Sequence, residues 1–186
     1  DLREAIRLFS PPARRFLVAI SLAWGGHGVG QVLFNLYLVE AGFREAFVGQ
    51  AISLNGLGLA FMALPAGILA DRWGRRPCLI LGALLDGLGL WVRAAAPMPE
   101  VIAAASFVAG AGQSLLAIAA LPFLTEHSTP RERTYLFSSF IAVELAAGVI
   151  GSFVGGWIPN ALRALPVGLA PDLMDAYRYA LIFGAT

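Results

Sequence analysis

Of the 186 residues, 58% are hydrophobic and only 13% are charged, whereas a soluble domain is about 45–50% apolar and about 25% charged. A soluble core of this length has no room for so much apolar surface, so lipid is the expected solvent. Thirteen basic residues, every one an Arg, stand against twelve acidic ones for a net charge of +1, which offers no cationic surplus to a nucleic-acid partner. The single Cys78 excludes an internal disulfide, and no Cys or His spacing calls for a metal or any other cofactor.

The chain opens with DLREAIRLFSPP, in which Leu2, Ile6 and Phe9 recur at helical spacing. Residues 1–15 are therefore expected to form a short amphipathic segment on the cytoplasmic membrane surface, ended by the Pro pair. Residues 16–186 read as one transmembrane domain. A crossing of about 30 Å needs about 20 helical residues, and five runs meet or approach that length: Phe16 to Val39, Phe47 to Leu69, Cys78 to Ala96, Val101 to Leu124 and Tyr135 to Ile158. The first is too long for a cleavable signal peptide and is followed by no A-x-A-like site, so it is expected to stay in the mature chain.

A sixth run starts at Tyr177 and stops at Thr186, about half a crossing. The carbonyls of a helix ending inside lipid would have no partner. The expectation is a fragment cut within its sixth helix, with a short re-entrant segment as the alternative. Between Pro159 and Ala176 three Pro residues break the chain too often for a span, and no soluble domain is inserted elsewhere. The expected fold class is all-α: a polytopic transmembrane helix bundle of five full spans plus the start of a sixth, compatible with an inverted three-plus-three repeat.

Orientation follows from the Arg residues. With the N-terminus inside, Arg3, Arg7, Arg14, Arg15, Arg72, Arg75, Arg76, Arg131 and Arg133 are cytoplasmic, and Arg44, Arg93, Arg163 and Arg178 are not. Nine against four favours that orientation in a multi-pass protein of the cytoplasmic, inner membrane.

Between the second and third spans lies GILADRWGRR. Topology alone explains Arg in this loop but not Gly67, Asp71 and Gly74 at these spacings. Gly67 would allow close helix contact, and Gly74 can take the positive φ that a sharp reversal needs. Asp71, at the C-terminal end of a helix, opposes the local dipole and needs a cationic partner or another helix N-terminus.

Gly67, Leu69, Asp71, Arg72, Gly74, Arg75 and Arg76 closely resemble the G-x-L-a-D-r-x-G-r-r motif in the same loop of the major facilitator superfamily of secondary transporters. The likeness extends over essentially the whole chain in helix count, short loops and orientation. It implies a twelve-helix transporter of two six-helix halves, of which this chain resembles the N-terminal one, with the other half as a partner. It also implies that Asp71 and Arg75, joined by Glu126 at the end of the fourth span, act as a conformational latch, and that spans 2 and 5 pack against the opposite half. Two features depart from the pattern of proton-coupled drug exporters. Ser106 and Val108 stand where an Arg precedes Gly110 or Gly112, and Ser152 replaces the Pro of a G-P-x-x-G-G sequence over 151–156.

Counting about 1.5 Å of rise per residue from the cytoplasmic ends, Asp86 lies ~12 Å deep, Glu144 ~14 Å, and His27 and Gln113 ~17 Å. Secondary transporters place substrate and ion sites near this depth, and an unpaired ionisable group there is costly. His27, Gln31 and Asn35 share one face, which either borders a polar cavity or, for His27, packs tightly and bonds a backbone carbonyl. Glu144 lies on a stripe with Gly148, Gly151 and Gly155; it is the first choice for proton coupling, against a structural role. Asp86, on a span that the resemblance places outside the cavity wall, is read more readily as protonated or locally paired. Gly56, Ala60, Ala63 and Gly67 form a second small-residue stripe, and Pro65 and Pro122 are expected to kink their spans.

The function expected is transport of a small organic solute by alternating access, coupled to protons. A non-transporting sensor or structural module that keeps the half fold is the alternative. An enzyme is the weakest reading, because neither H-E-x-x-H nor G-x-S-x-G occurs.

Overall fold

The computed structural model describes residues 9–96, 98–130 and 132–163. Five helices follow one another: α1 (Pro11–Glu40), α2 (Glu45–Trp73), α3 (Arg75–Ala95), α4 (Pro99–Glu126) and α5 (Arg133–Arg163). All five are long and apolar enough to cross a membrane, and no strand occurs among the described residues. Residues 1–8, most of the expected amphipathic segment, and the sixth run from Tyr177 lie outside the described residues.

Except at the C-terminal end of α3, the helices extend beyond the expected apolar runs. Thus α1 starts five residues before Phe16, and the boundary expected at residue 15 falls inside it. Ser10 caps α1, accepting from the Ala13 N–H at 3.4 Å. Pro11 and Pro12 occupy the first turn, where a missing N–H leaves no hydrogen bond unmade. At the other extreme, a single residue separates α2 from α3: Gly74, at φ 94° and ψ 160°. The positive φ expected there is present, and it is what reverses the chain without a loop. Pro65 and Pro122 sit inside α2 and α4 without ending them.

Packing divides the bundle into two groups. Helix α4 lies against α2 on one side and α3 on the other, while α1 pairs with α5 and touches the rest lightly. An inverted repeat that superposes spans 1–3 on spans 4–6 maps the α1–α5 pair onto α4–α2, and the local contacts follow that mapping. A Cβ on Gly28 would run into the Gly148 carbonyl, and one on Gly151 into that of Gly25; correspondingly, one on Gly58 would meet the Phe107 carbonyl and one on Gly110 that of Asn55. Each pair also carries a side-chain tether to backbone, with Ser152 Oγ donating to Gly28 O and Asn55 Nδ2 to Ser106 O, both at 3.2 Å. Close backbone approach through small residues is how helices associate where lipid removes the hydrophobic drive between them.

The two small-residue stripes fare differently. The Gly151 and Gly155 stripe of α5 is covered by α1 within this chain, with Val29 Cα 2.9 Å from the place of a Gly155 Cβ. Among the described residues, a Cβ on Gly67 meets nothing within 4 Å, as at Gly56. On α2 the packing face runs instead through Asn55 and Gly58.

Two apolar clusters fill the ends of the bundle. One gathers Phe9, Phe16, Ile20, Leu79, Leu115, Leu124, Leu136 and Phe140, and the other Val29, Leu33, Phe34, Tyr37, Leu38, Leu90 and Ile102. Between them lies the polar band described next. Large side chains such as Leu64, 83% exposed, and Phe153, 79%, face outward, as lipid solvation permits.

Candidate functional site: a polar cleft and a charged turn

The mid-depth polar residues come together from three helices. His27 is on α1, Asp86 on α3 and Gln113 on α4. Gln113 Nε2 donates to Asp86 Oδ1 at 3.0 Å, and His27 Nδ1 stands 3.8 Å from Asp86 Oδ2. The edge of Trp24 meets the imidazole, with ring centroids 5.3 Å apart. His27 thus faces a carboxylate rather than a backbone carbonyl. Its neighbouring glycines serve other contacts, Gly25 and Gly28 against α5 and Gly30 against the Leu90 side chain.

From this cluster a cleft of about 660 Å³ extends along α1 past Gln31 and Asn35, with Asn55 of α2 and Arg93 of α3 in its wall. Phe34, Ile52 and Leu90 supply apolar lining. Asp86 therefore borders the cleft, contrary to its expected place outside the wall, because small residues hold α3 close to α4. A Cβ on Gly82 would stand 2.7 Å from Gly112 O, and one on Gly89 2.8 Å from Ala109 Cβ.

Sequence reasoning missed two of these residues. Arg93 enters the sequence reading only as a non-cytoplasmic charge at the end of the third span, yet it is 8% exposed within α3 and lines the cleft; its signal is the spacing of seven from Asp86, two turns along one helix face. Asn55, the one Asn of its span, lines the cleft as well. Glu144 does not line the cleft. It sits partly exposed on α5 with no ion pair or hydrogen bond to any described residue.

At the opposite end of α3 the motif residues form a charged turn. Arg75 binds Asp71 at 2.5 Å through Nη1 and approaches Glu126 Oε1 at 3.4 Å through Nε. Asp71 ends α2 and Arg75 begins α3, so each charge opposes the dipole of its own helix, and pairing offsets both. Arg72 and Arg76 are exposed and pair with no described residue. Nearby, Ser10 Oγ donates to His127 O at 2.6 Å, tying the start of α1 to the end of α4.

Five span-length helices, packed through small residues around polar groups at mid-depth, define an integral multi-pass membrane protein whose solvent is the lipid bilayer. Residues 16–184 match the Major Facilitator Superfamily, and the chain belongs to that family. It is similar to proteins named multidrug resistance protein MdtH from Yersinia pestis (strain Pestoides F) and from Yersinia pseudotuberculosis serotype O:1b (strain IP 31758). Each is 25% identical over 157 residues, a match covering 78% of this chain and 39% of the relative. The chain thus spans about two fifths of the length of the curated relatives it matches.

Proposed function

We propose that this chain is the N-terminal half of a secondary transporter that moves a small organic solute across the cytoplasmic membrane by alternating access, with protons as the coupling ion and the second six-helix half completing the path. The observation that carries this reading is the convergence of His27, Asp86 and Gln113 at mid-depth beside a cleft of about 660 Å³, a size suited to a small organic molecule. Family membership and the name of the MdtH relatives support a solute role, and the apolar lining suits an amphipathic one. An N-terminus inside is supported by the Arg count, which becomes nine against three once Arg93 is taken as buried.

Asp86 and His27 take the coupling role in preference to Glu144, because a group that gains and loses a proton must feel the solute, and only the first two line the cleft. Asp71, Arg75 and Glu126 serve as the latch between states, and the residues before α1 as the surface segment. The test is pH-gradient-driven accumulation and solute binding, both measured on the same full-length variants in proteoliposomes. Asp86→Asn should abolish accumulation while sparing binding, and Glu144→Gln should accumulate like the parent. The reverse pattern would give the role to Glu144. Normal accumulation by Asp86→Asn, His27→Gln and Glu144→Gln alike would refute proton coupling through any of them.

A further inference from the structure

Arg93 is a charged group that the coupling scheme leaves unused. It is 8% exposed in the wall of the cleft. Its Nε donates to Gly89 O, one turn back on its own helix, at 3.2 Å, and the guanidinium carbon lies 4.6 Å from the centroid of the Phe34 ring. Among the described residues these contacts use one of the five N–H groups of an arginine and one face of its plane. No carboxylate among the described residues comes within ion-pair distance of it. Asp86, two turns away, is the acidic group whose field reaches it, but that carboxylate is taken by Gln113 and His27. A buried cation in a lipid-solvated chain is costly unless something pairs with it.

We propose that the solute taken by this cleft is an organic anion, whose carboxylate or similar oxyanion is received by the fork of Arg93, which no described residue fills, while its apolar body lies against Phe34, Ile52 and Leu90. The proposal rests on the transport reading and names the substrate class for that site. A guanidinium presents parallel N–H groups that match two oxygens of one oxyanion. Stacking on Phe34 holds the fork in place before a ligand arrives, so little side-chain freedom remains to be lost on binding. If Arg93 served only as counter-ion to Asp86, the two would meet at bonding distance; instead each has separate neighbours.

The test uses the full-length protein in phosphatidylcholine nanodiscs and three probe pairs: naphthalene-1-carboxylate, benzoate and hexanoate, each against its own carboxamide. At least one carboxylate should bind about tenfold or more tightly than its amide. Arg93→Gln should bring that ratio close to one by weakening the acid far more than the amide, with an unchanged thermal unfolding midpoint showing that the variant is folded, and Arg93→Lys should keep part of the preference. A ratio near one in the parent for all three pairs overturns the anion proposal while leaving transport standing. So does Arg93→Gln weakening acid and amide equally, which would make Arg93 a shaping residue. Loss of the preference on adding phosphatidylglycerol would assign the fork to a lipid headgroup and overturn it too. No saturable binding of any probe at millimolar concentration would count against both the inference and the transport reading.

Discussion

Gly112 couples helix packing directly to the site. The place of a Gly112 Cβ is 2.7 Å from both Asp86 N and Gly82 O, backbone atoms of α3 that no rotamer change can move. Ordinary contact begins at about 3.4 Å, so Gly112→Ala must push α3 from α4 by about 0.7 Å, at a cost of about 1–3 kcal/mol of overpacking. Gln113, the next residue, bonds Asp86 across this same contact at 3.0 Å. A rigid separation takes that bond to about 3.7 Å, beyond hydrogen-bond reach. Gly112→Ala should therefore lower the thermal unfolding midpoint in detergent and also weaken solute binding. Gly156→Ala is the control: its Cβ meets nothing within 4 Å among the described residues, so both readouts should stay at the parent values. If Gly112→Ala is as stable as Gly156→Ala and binds solute normally, α3 and α4 do not approach this closely, and the account of how Asp86 reaches the cleft fails.

Other perturbations separate the remaining contacts. Asp71 and Glu126 are 70% and 54% exposed, so water and salt screen their attraction to Arg75; Asp71→Asn should move spin-label distance populations between inward- and outward-open states by no more than about fivefold. A larger shift would require a buried partner for Asp71 beyond Arg75. Ser152→Ala and Asn55→Ala remove equivalent tethers in the two helix pairs, each worth about 0.6 kcal/mol in a membrane bundle, and should lower unfolding stability about equally. Only Asn55→Ala, which lines the cleft, should also change solute affinity.

The spans were legible because hydropathy over some 20 residues is a property of local sequence, and the turn because Gly74 between Asp71 and Arg75 leaves few backbone alternatives. The depth of His27, Asp86 and Gln113 could be counted along each helix. Which side chains then meet was not legible, since helix rotation is set by backbone contacts between glycines far apart in sequence, such as Gly28 with Gly148 or Gly82 with Gly112. The same limit explains the α5 stripe: spacing shows that Gly151 and Gly155 share a face but not which helix covers them. The burial of Arg93 was not legible for another reason. A charge two residues from the end of a helix reads as interfacial from hydropathy alone, while stacking on Phe34 depends on the packing of α1 against α3.

The two packing groups give Asp86 a further consequence. Helices α1 and α5 are locked by backbone contact, as are α2, α3 and α4, but α1 touches α3 only lightly. The approach of His27 to Asp86 therefore spans the seam between the groups, while the Gln113 bond stays inside one of them. Replacing the carboxyl group should loosen that seam without disturbing the α3–α4 contact, because Asn at position 86 still accepts from Gln113. Asp86→Asn and His27→Gln should each speed amide exchange in the Gly25 to Gly30 segment of α1 and lower unfolding stability. If the two side chains act on each other, the double variant should lose no more than the larger single loss, a coupling of about 0.5–3 kcal/mol for residues in contact. Additive losses would mean that His27 and Asp86 contribute independently, and that a proton arriving at Asp86 has no path through this contact to the packing of α1.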